Sequence, residues 1–416
     1  MRASFGNRPL RFVFAANLVS MVGSGMNSAA VAWYILQATH SEVALGTFAV
    51  LQTLPAMLML PFTGVVIDRE DRRRLVMWLD SLRALIILTV AILAFRHRVQ
   101  VWQLYLMNTL VAAGFWMFWP TITALIQELT PESQFVQSNT FLLAGVQGGF
   151  LIAGAIVGFI YDHIGLGGVL ILDVSTYVVS FLCYFAVRKG RHVVIRPEEL
   201  RADIVAAETQ FQRFWREMRE GLRFLREHRA VVLLGASWAL FVGAMVTGVV
   251  VTPSLSDRVF HAGAKGYGWL NAGWGTGAFV SVLYAPKLIG MLGGRRAIAF
   301  SMALLAACVA FAPVSGFFVL AIATYFVMGS ARGVGGVAMN TNLMEMVPKH
   351  LMGRVQNAFY FCGTFLQLVL AVSVGAVAHK VSLVLAFAIL ACVYAMSFVA
   401  SSWPIEADVA KEVAAD

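Results

Sequence analysis

Charge is what this 416-residue chain has least of. Asp, Glu, Lys and Arg make up only 13% of it, against 59% hydrophobic residues, whereas a soluble globular domain is about one quarter charged. That leaves too little polar surface to coat a particle in water. Cysteine is scarce as well. Cys183, Cys308, Cys362 and Cys392 all fall in apolar runs without CxxC spacing, which implies neither a disulfide framework nor a thiolate metal site. No G-x-x-x-x-G-K-[ST] run offers a nucleotide site. No paired catalytic carboxylates, zinc spacing or nucleophile elbow stands out, so no enzymatic activity, metal or cofactor is expected. The eight histidines lie in loops or near span ends, which leaves no intramembrane histidine relay.

What the chain does have is apolar runs. Twelve recur, at about 11–37, 43–66, 75–95, 101–127, 137–161, 168–187, 230–254, 266–290, 296–313, 316–343, 354–378 and 382–403, each able to cross a bilayer core about 30 Å thick as a helix. The expected fold class is an all-α polytopic membrane protein, twelve transmembrane helices in two six-helix bundles. The first run is too long for a signal h-region and is expected to be a retained span. Of the 31 lysines and arginines, 24 fall in one alternate set of inter-span segments and five in the other, with Arg83 and Arg332 inside spans. The positive-inside rule then puts both termini in the cytoplasm. Short loops and an arginine-rich inner face point to a bacterial inner membrane. The net charge of +9 is spread over these loops, so no nucleic-acid partner is expected. Nothing indicates oligomerisation, and a monomer in membrane lipid is expected.

The division expected from loop lengths is a six-helix bundle at 1–187, a cytoplasmic loop at 188–229, a second bundle at 230–403 and a tail at 404–416. Within the loop, Phe211, Phe214, Trp215, Met218, Leu222 and Leu225 recur at helical spacing with arginines and glutamates opposite. They predict an amphipathic helix that lies on the inner membrane surface or packs on the bundle. The halves also echo each other. With Pro131 laid on Pro348, Glu128 falls on Glu345 and Asn139 comes one residue short of Asn357. Repeated bundles around a central path are a transporter's pattern.

Between the second and third spans stands GVVIDREDRRR, residues 64–74. Its pattern, Gly64-x-x-x-Asp68-Arg69-x-Asp71-Arg72-Arg73, resembles the signature loop of the major facilitator superfamily. It departs where Asp71 replaces the second glycine. LDSLRALIIL in span three, LILDVSTYVVSFL in span six, FWREMREGLRFLREHR before span seven and VPKHLMGRVQN after span ten resemble the twelve-helix enterobactin and macrolide exporters, a drug:proton antiporter branch. The resemblance implies alternating access, with Gly64, Asp68, Arg69, Arg72 and Arg73 forming a conformational latch. An acid at a span end can accept hydrogen bonds from a neighbouring helix N-terminus or an arginine. Arg74 is read as setting topology alone. The second half keeps only GGRRA at 293–297.

Charges inside a membrane are costly and default to functional roles. Asp173 lies within span six. Asp80 and Glu345 lie within about two turns of cytoplasmic ends, and Asp80 stands i,i+3 from Arg83, where the two pair on one helix face. Arg332 lies deep in span ten among glycines. It suits an anionic substrate group, an acid from another span such as Asp173, or snorkelling to the interface. The resemblance leads one to expect an acid in span one, where Ser24 stands instead. Proton coupling would then rest on Asp173, Asp80 or Glu345. In the superfamily, spans one, four, seven and ten line the cavity. Asn17 and Asn27, Trp116 and Trp119, Trp238, and Asn340 are the lining candidates among mostly apolar neighbours, a surface suited to a bulky amphipathic solute.

The function expected is a secondary active transporter that exports a hydrophobic or amphipathic compound, such as a drug or siderophore, with protons as the candidate coupling ion. A lipid or lysolipid flippase, an importer of an anionic metabolite, and a non-transporting membrane sensor or scaffold stay open as alternatives.

Overall fold

The computed structural model describes residues 8–69, 71–130, 135–187, 212, 216, 219, 223, 225, 228–347 and 352–403. Most of the amphipathic stretch at 209–229 lies outside them. Among the described residues every regular element is helical. The first four helices are α1 (Arg8–Thr39), α2 (Glu42–Arg69), α3 (Arg72–Phe95) and α4 (Val101–Leu129). Phe135–Ala186 is one helical run interrupted at Gly165 (φ 63°, ψ −174°), and its arms are α5 (135–164) and α6 (166–186). Then come α7 (Arg229–Ser254), running into a π-turn at Leu255–Val259, α8 (Gly263–Leu292), α9 (Gly294–Phe311), α10 (Phe318–Met346), α11 (Met352–Lys380) and α12 (Leu383–Ser402). Nine of the described helical segments are long and apolar enough to cross a membrane: α3, α4, Ile156–Ala186, α7 with its π-turn, α8, α9 with the turn after it, α10, Ala358–Lys380 of α11, and α12.

These residues form helices because nearly every backbone polar group must be satisfied within its own segment once water is absent. Pro120, Pro253 and Pro286 sit inside α4, α7 and α8, which a membrane bundle tolerates better than a soluble helix does. The outward faces are apolar too. Trp78 is 74% exposed and Phe317 76%, exposures that suit hydrocarbon as the surrounding solvent. Inside, Leu10, Val13, Val76, Phe118, Ile122, Leu142 and Tyr184 form one core cluster drawn from α1, α3, α4, α5 and α6.

The internal repetition is visible in turns and in packing. His40 and His97 take left-handed backbone after α1 and α3, while His261 and Gly316 do so after α7 and α9. A residue with its φ in that region ends a helix and reverses the chain. α1 and α3 both pack on Phe135–Ala186, α7 packs on α11 and α12, and α9 packs on α12. The chain divides into two compact units. Unit 1 gathers Met1–His40, Leu51–Gln212 and Ala262–Gly275; unit 2 gathers Ser41–Val50, Arg213–His261 and Thr276–Asp416. α2 therefore belongs to unit 2 by its first residues and to unit 1 by the rest, and α8 is divided in the converse sense.

Candidate functional site

At the α2–α3 turn, Asp71 is the N-cap of α3. Its Oδ1 accepts a hydrogen bond from the backbone N–H of Arg74 at 3.1 Å, so the residue that departs from the signature satisfies one of the orphan donors of the new helix. Arg73 reaches the far end of α6, where Nε donates to the Tyr184 carbonyl and Nη2 to the Phe185 carbonyl, each at 2.7 Å. These are last-turn carbonyls at the electronegative end of the helix, and the Tyr184 carbonyl also accepts from the Val187 backbone N–H at 3.2 Å. Arg72 crosses to α4, donating to the Ala124 carbonyl at 3.2 Å and standing 3.7 Å from Glu128. Gly64, Asp68 and Arg69 lie in α2, but their side chains fall outside the described ones. The sequence remnant GGRRA keeps more than its spelling promised. Arg295 donates from Nε to the Ser401 carbonyl at the end of α12, at 3.0 Å, as Arg73 does to α6.

Deeper in unit 1, α1, α3, α4 and α6 converge on a buried polar network. Asp80, with no exposed surface, accepts from Arg83 Nη2 at 2.5 Å and from Ser180 Oγ at 2.7 Å. The expected i,i+3 pair thus forms, and it extends across helices. The Arg83 guanidinium, 1% exposed, lies between the Phe118 and Tyr177 rings, 4.7 Å from each centroid, an arrangement in which ring faces partly replace lost hydration. Gly114 makes the space, since a Cβ there would stand 3.1 Å from Arg83 Cδ. Tyr177 and Ser24 share a 3.0 Å hydrogen bond. Asp173, also fully buried, accepts from Asn27 Nδ2 at 2.7 Å and is bonded by its own Thr176. Gly23 permits this approach of α1 to α6, because a Cβ there would fall on Thr176 Oγ1.

Two carboxyl groups and one guanidinium therefore share this site. If all three are ionised, one negative charge is unbalanced in a span, which is expensive; with one proton bound the set is neutral. Ser24 stands on α1 where the resemblance led one to expect an acid, and α1 meets the buried acid of α6 through Asn27.

The other candidates are dispersed. Glu345 is exposed, so it is no buried carrier. Arg332, half-buried in unit 2, donates from Nε to Met245 Sδ at 2.9 Å; Asp173, entertained as its partner, is bonded within unit 1. Asn17 is fully buried and donates to the Leu142 carbonyl of α5 at 3.3 Å, a helix–helix joint. Trp119 packs on the unit 1 core and Trp116 lies edge-on to Phe115. Trp238 meets Tyr360 edge-on, and Asn340 bonds back to the Gly336 carbonyl one turn earlier. Of these lining candidates, Asn27 alone joins the network.

Tyr177 and Ser180 were missed, although their signal was present. Asp173, Tyr177, Ser180 and Tyr184 recur at spacings of four, three and four in a mostly apolar helix, and Asn17, Ser20, Ser24 and Asn27 recur at three, four and three. Each set is a polar stripe on one helix face, and the two stripes meet.

The model of the Major Facilitator Superfamily matches residues 13–371 of this chain. Macrolide efflux protein A of Streptococcus pyogenes is 21% identical over 377 residues, 88% of each chain. The putative bacilysin exporter BacE of Bacillus amyloliquefaciens is 28% identical over 323 residues, covering 75% of this chain and 74% of its own. Among solved structures, the nucleoside transporter NupG superposes with a TM-score of 0.74 at 13% identity over 95% of this chain and all of its own. A bacterial homologue of the iron transporter ferroportin, in an inward-facing state, gives 0.73 at 13% over 95% and 99%.

Proposed function

This chain belongs to the Major Facilitator Superfamily, and on that footing we propose that it is a proton-coupled exporter of hydrophobic or amphipathic small molecules. The observation that carries the reading is its similarity to macrolide efflux protein A over 88% of both chains. Macrolides are bulky, largely apolar solutes, and a helical bundle rich in methionine and aromatic side chains suits them better than it suits sugars. The relatives are transporters, so no catalytic chemistry is assigned. The protein is read as a monomer in a bacterial inner membrane with both termini in the cytoplasm, worked by alternating access of its two units.

The coupling ion is assigned to the Asp80–Arg83–Asp173 network. Asp80 is committed to Arg83 and Ser180, whereas among the described residues the hydrogen-bond donors to Asp173 are the neutral Asn27 and Thr176. Asp173 is therefore the carboxyl that takes up and releases the proton, which restores the charge balance of the site. The α2–α3 loop ties α3 to the ends of α4 and α6, so that a charge change among these helices is felt at the loop where the family's signature lies.

The test is uptake of a radiolabelled macrolide by cells carrying the wild type, Asp173→Asn or an empty vector. Lower steady-state accumulation in the wild type, reversed by a protonophore and by Asp173→Asn, supports the reading. Equal accumulation in all three, for macrolides and for a panel of amphipathic cations, rejects it.

A further inference from the structure

Glu42 opens α2 and is 0% exposed. Its Oε1 lies 2.9 Å from Arg258 Nη1, close enough for an ion pair though not aligned as a hydrogen bond. Its Oε2 lies 3.3 Å from His379 Nδ1. A carboxylate only accepts, so that ring nitrogen carries its proton. Arg258 stands in the π-turn that ends α7 and His379 in the last turn of α11. One buried carboxylate thus joins three helices from distant parts of the chain. A first-turn acid gains from the helix dipole while exposed; that gain does not require burial or two remote partners. Burial of a charge without partners is strongly unfavourable, as breaking a buried ion pair is.

A second, independent feature holds the same helices together. A Cβ on Gly375 would stand 2.7 Å from the Glu42 carbonyl oxygen, and one on Gly46 would stand 2.5 Å from the Ala371 carbonyl oxygen. α2 and α11 meet backbone to backbone at two points one turn apart, as small residues allow in membrane bundles.

The consequence follows from membership of the two units. Ser41–Val50 belongs to unit 2, while Leu51 onward in the same helix belongs to unit 1. A helix resists bending, so movement of one unit against the other must release one of its ends. We propose that Glu42 is a positioning residue of the transport cycle, a releasable ionic clasp that fixes the first turns of α2 to α7 and α11 in this state and lets them go in the next. This rests on the transporter reading only for its link to transport; the clasp itself has a readout that needs no substrate.

That readout is thiol accessibility in the purified full chain. Cys183, Cys308, Cys362 and Cys392 are first replaced by serine, and Leu45, fully buried in the clasped segment, is replaced by cysteine. A maleimide probe is expected to label this parent slowly. Glu42→Gln and Arg258→Gln are each expected to speed labelling, on the order of tenfold for Glu42→Gln, and the double variant no further than Glu42→Gln, which already removes the Arg258 contact. Arg258 is 39% exposed, so its variant answers the question even where Glu42→Gln does not accumulate. Labelling at the parental rate in Arg258→Gln overturns the clasp. In efflux assays the variants are expected to change kcat while leaving KM near the wild-type value; a change in KM alone would move Glu42 to substrate binding and also overturn it. Faster labelling in a chain that moves no substrate would leave the clasp standing and reject the export reading instead.

Discussion

Asn27 of α1 donates a hydrogen bond to Asp173 of α6 at 2.7 Å, across 146 residues of sequence. It is the cross-helix donor to a carboxyl group with no exposed surface. Asn27→Leu leaves that oxygen wanting a partner and is expected to cost about 1–3 kcal/mol. Asp173→Asn keeps a hydrogen-bonding partner for Asn27 and removes a buried charge, so its cost should be smaller. Thermal unfolding in detergent, read by tryptophan fluorescence, ranks the two; the opposite order would contradict the assignment.

Gly23 and Gly248 make a matched pair in two long helices. A Cβ at Gly23 collides with Thr176 and Asp173, while one at Gly248 meets nothing within 4 Å. Gly23→Ala should therefore destabilise by about 1–3 kcal/mol through overpacking. Gly248→Ala should be neutral or mildly stabilising, since alanine gains about 1 kcal/mol over glycine in a helix. The yield of monodisperse protein after graded heating compares them.

Asp71 caps α3 through Arg74. Asp71→Ala is expected to lose about 1 kcal/mol, whereas Asp71→Gly, which restores the family's glycine, should lose only a few tenths. If unfolding midpoints show glycine as costly as alanine, Asp71 does more than cap the helix.

Arg73 and Arg295 perform equivalent ties, one to the end of α6 and one to the end of α12. Arg73 makes two bonds with one planar fork, so Arg73→Lys should recover less than half of what Arg73→Ala loses. Arg295→Ala, which gives up the Nε bond to Ser401, should be milder. Transport rates normalised to membrane abundance would check the series.

Much of the fold was legible because the bilayer simplifies the code. Apolar run length alone predicted spans at 75–95 and 101–127, and α3 and α4 lie at Arg72–Phe95 and Val101–Leu129. The Asp80–Arg83 pair was legible because i,i+3 spacing is local. Apolar run length ended one span at 161 and began the next at 168, yet helix continues to Gly165, whose left-handed φ makes the turn. Glu42 was not legible at all. It stands among polar residues at a span boundary, and His379 lies 337 residues away, so no local pattern announces their contact. The meeting of the two polar stripes was half legible, for each stripe has helical period but nothing in the sequence pairs one with the other.

The measurement that tests the central claim most directly is substrate accumulation in everted membrane vesicles under an imposed pH gradient, with wild type and Asp173→Asn compared at equal abundance. A fluorescent amphipathic cation and a fluorescent lysolipid serve as probes. The account predicts gradient-dependent cation uptake by the wild type and its loss, by on the order of tenfold or more, in Asp173→Asn. Uptake that ignores the gradient, or lysolipid movement without cation uptake, would contradict it.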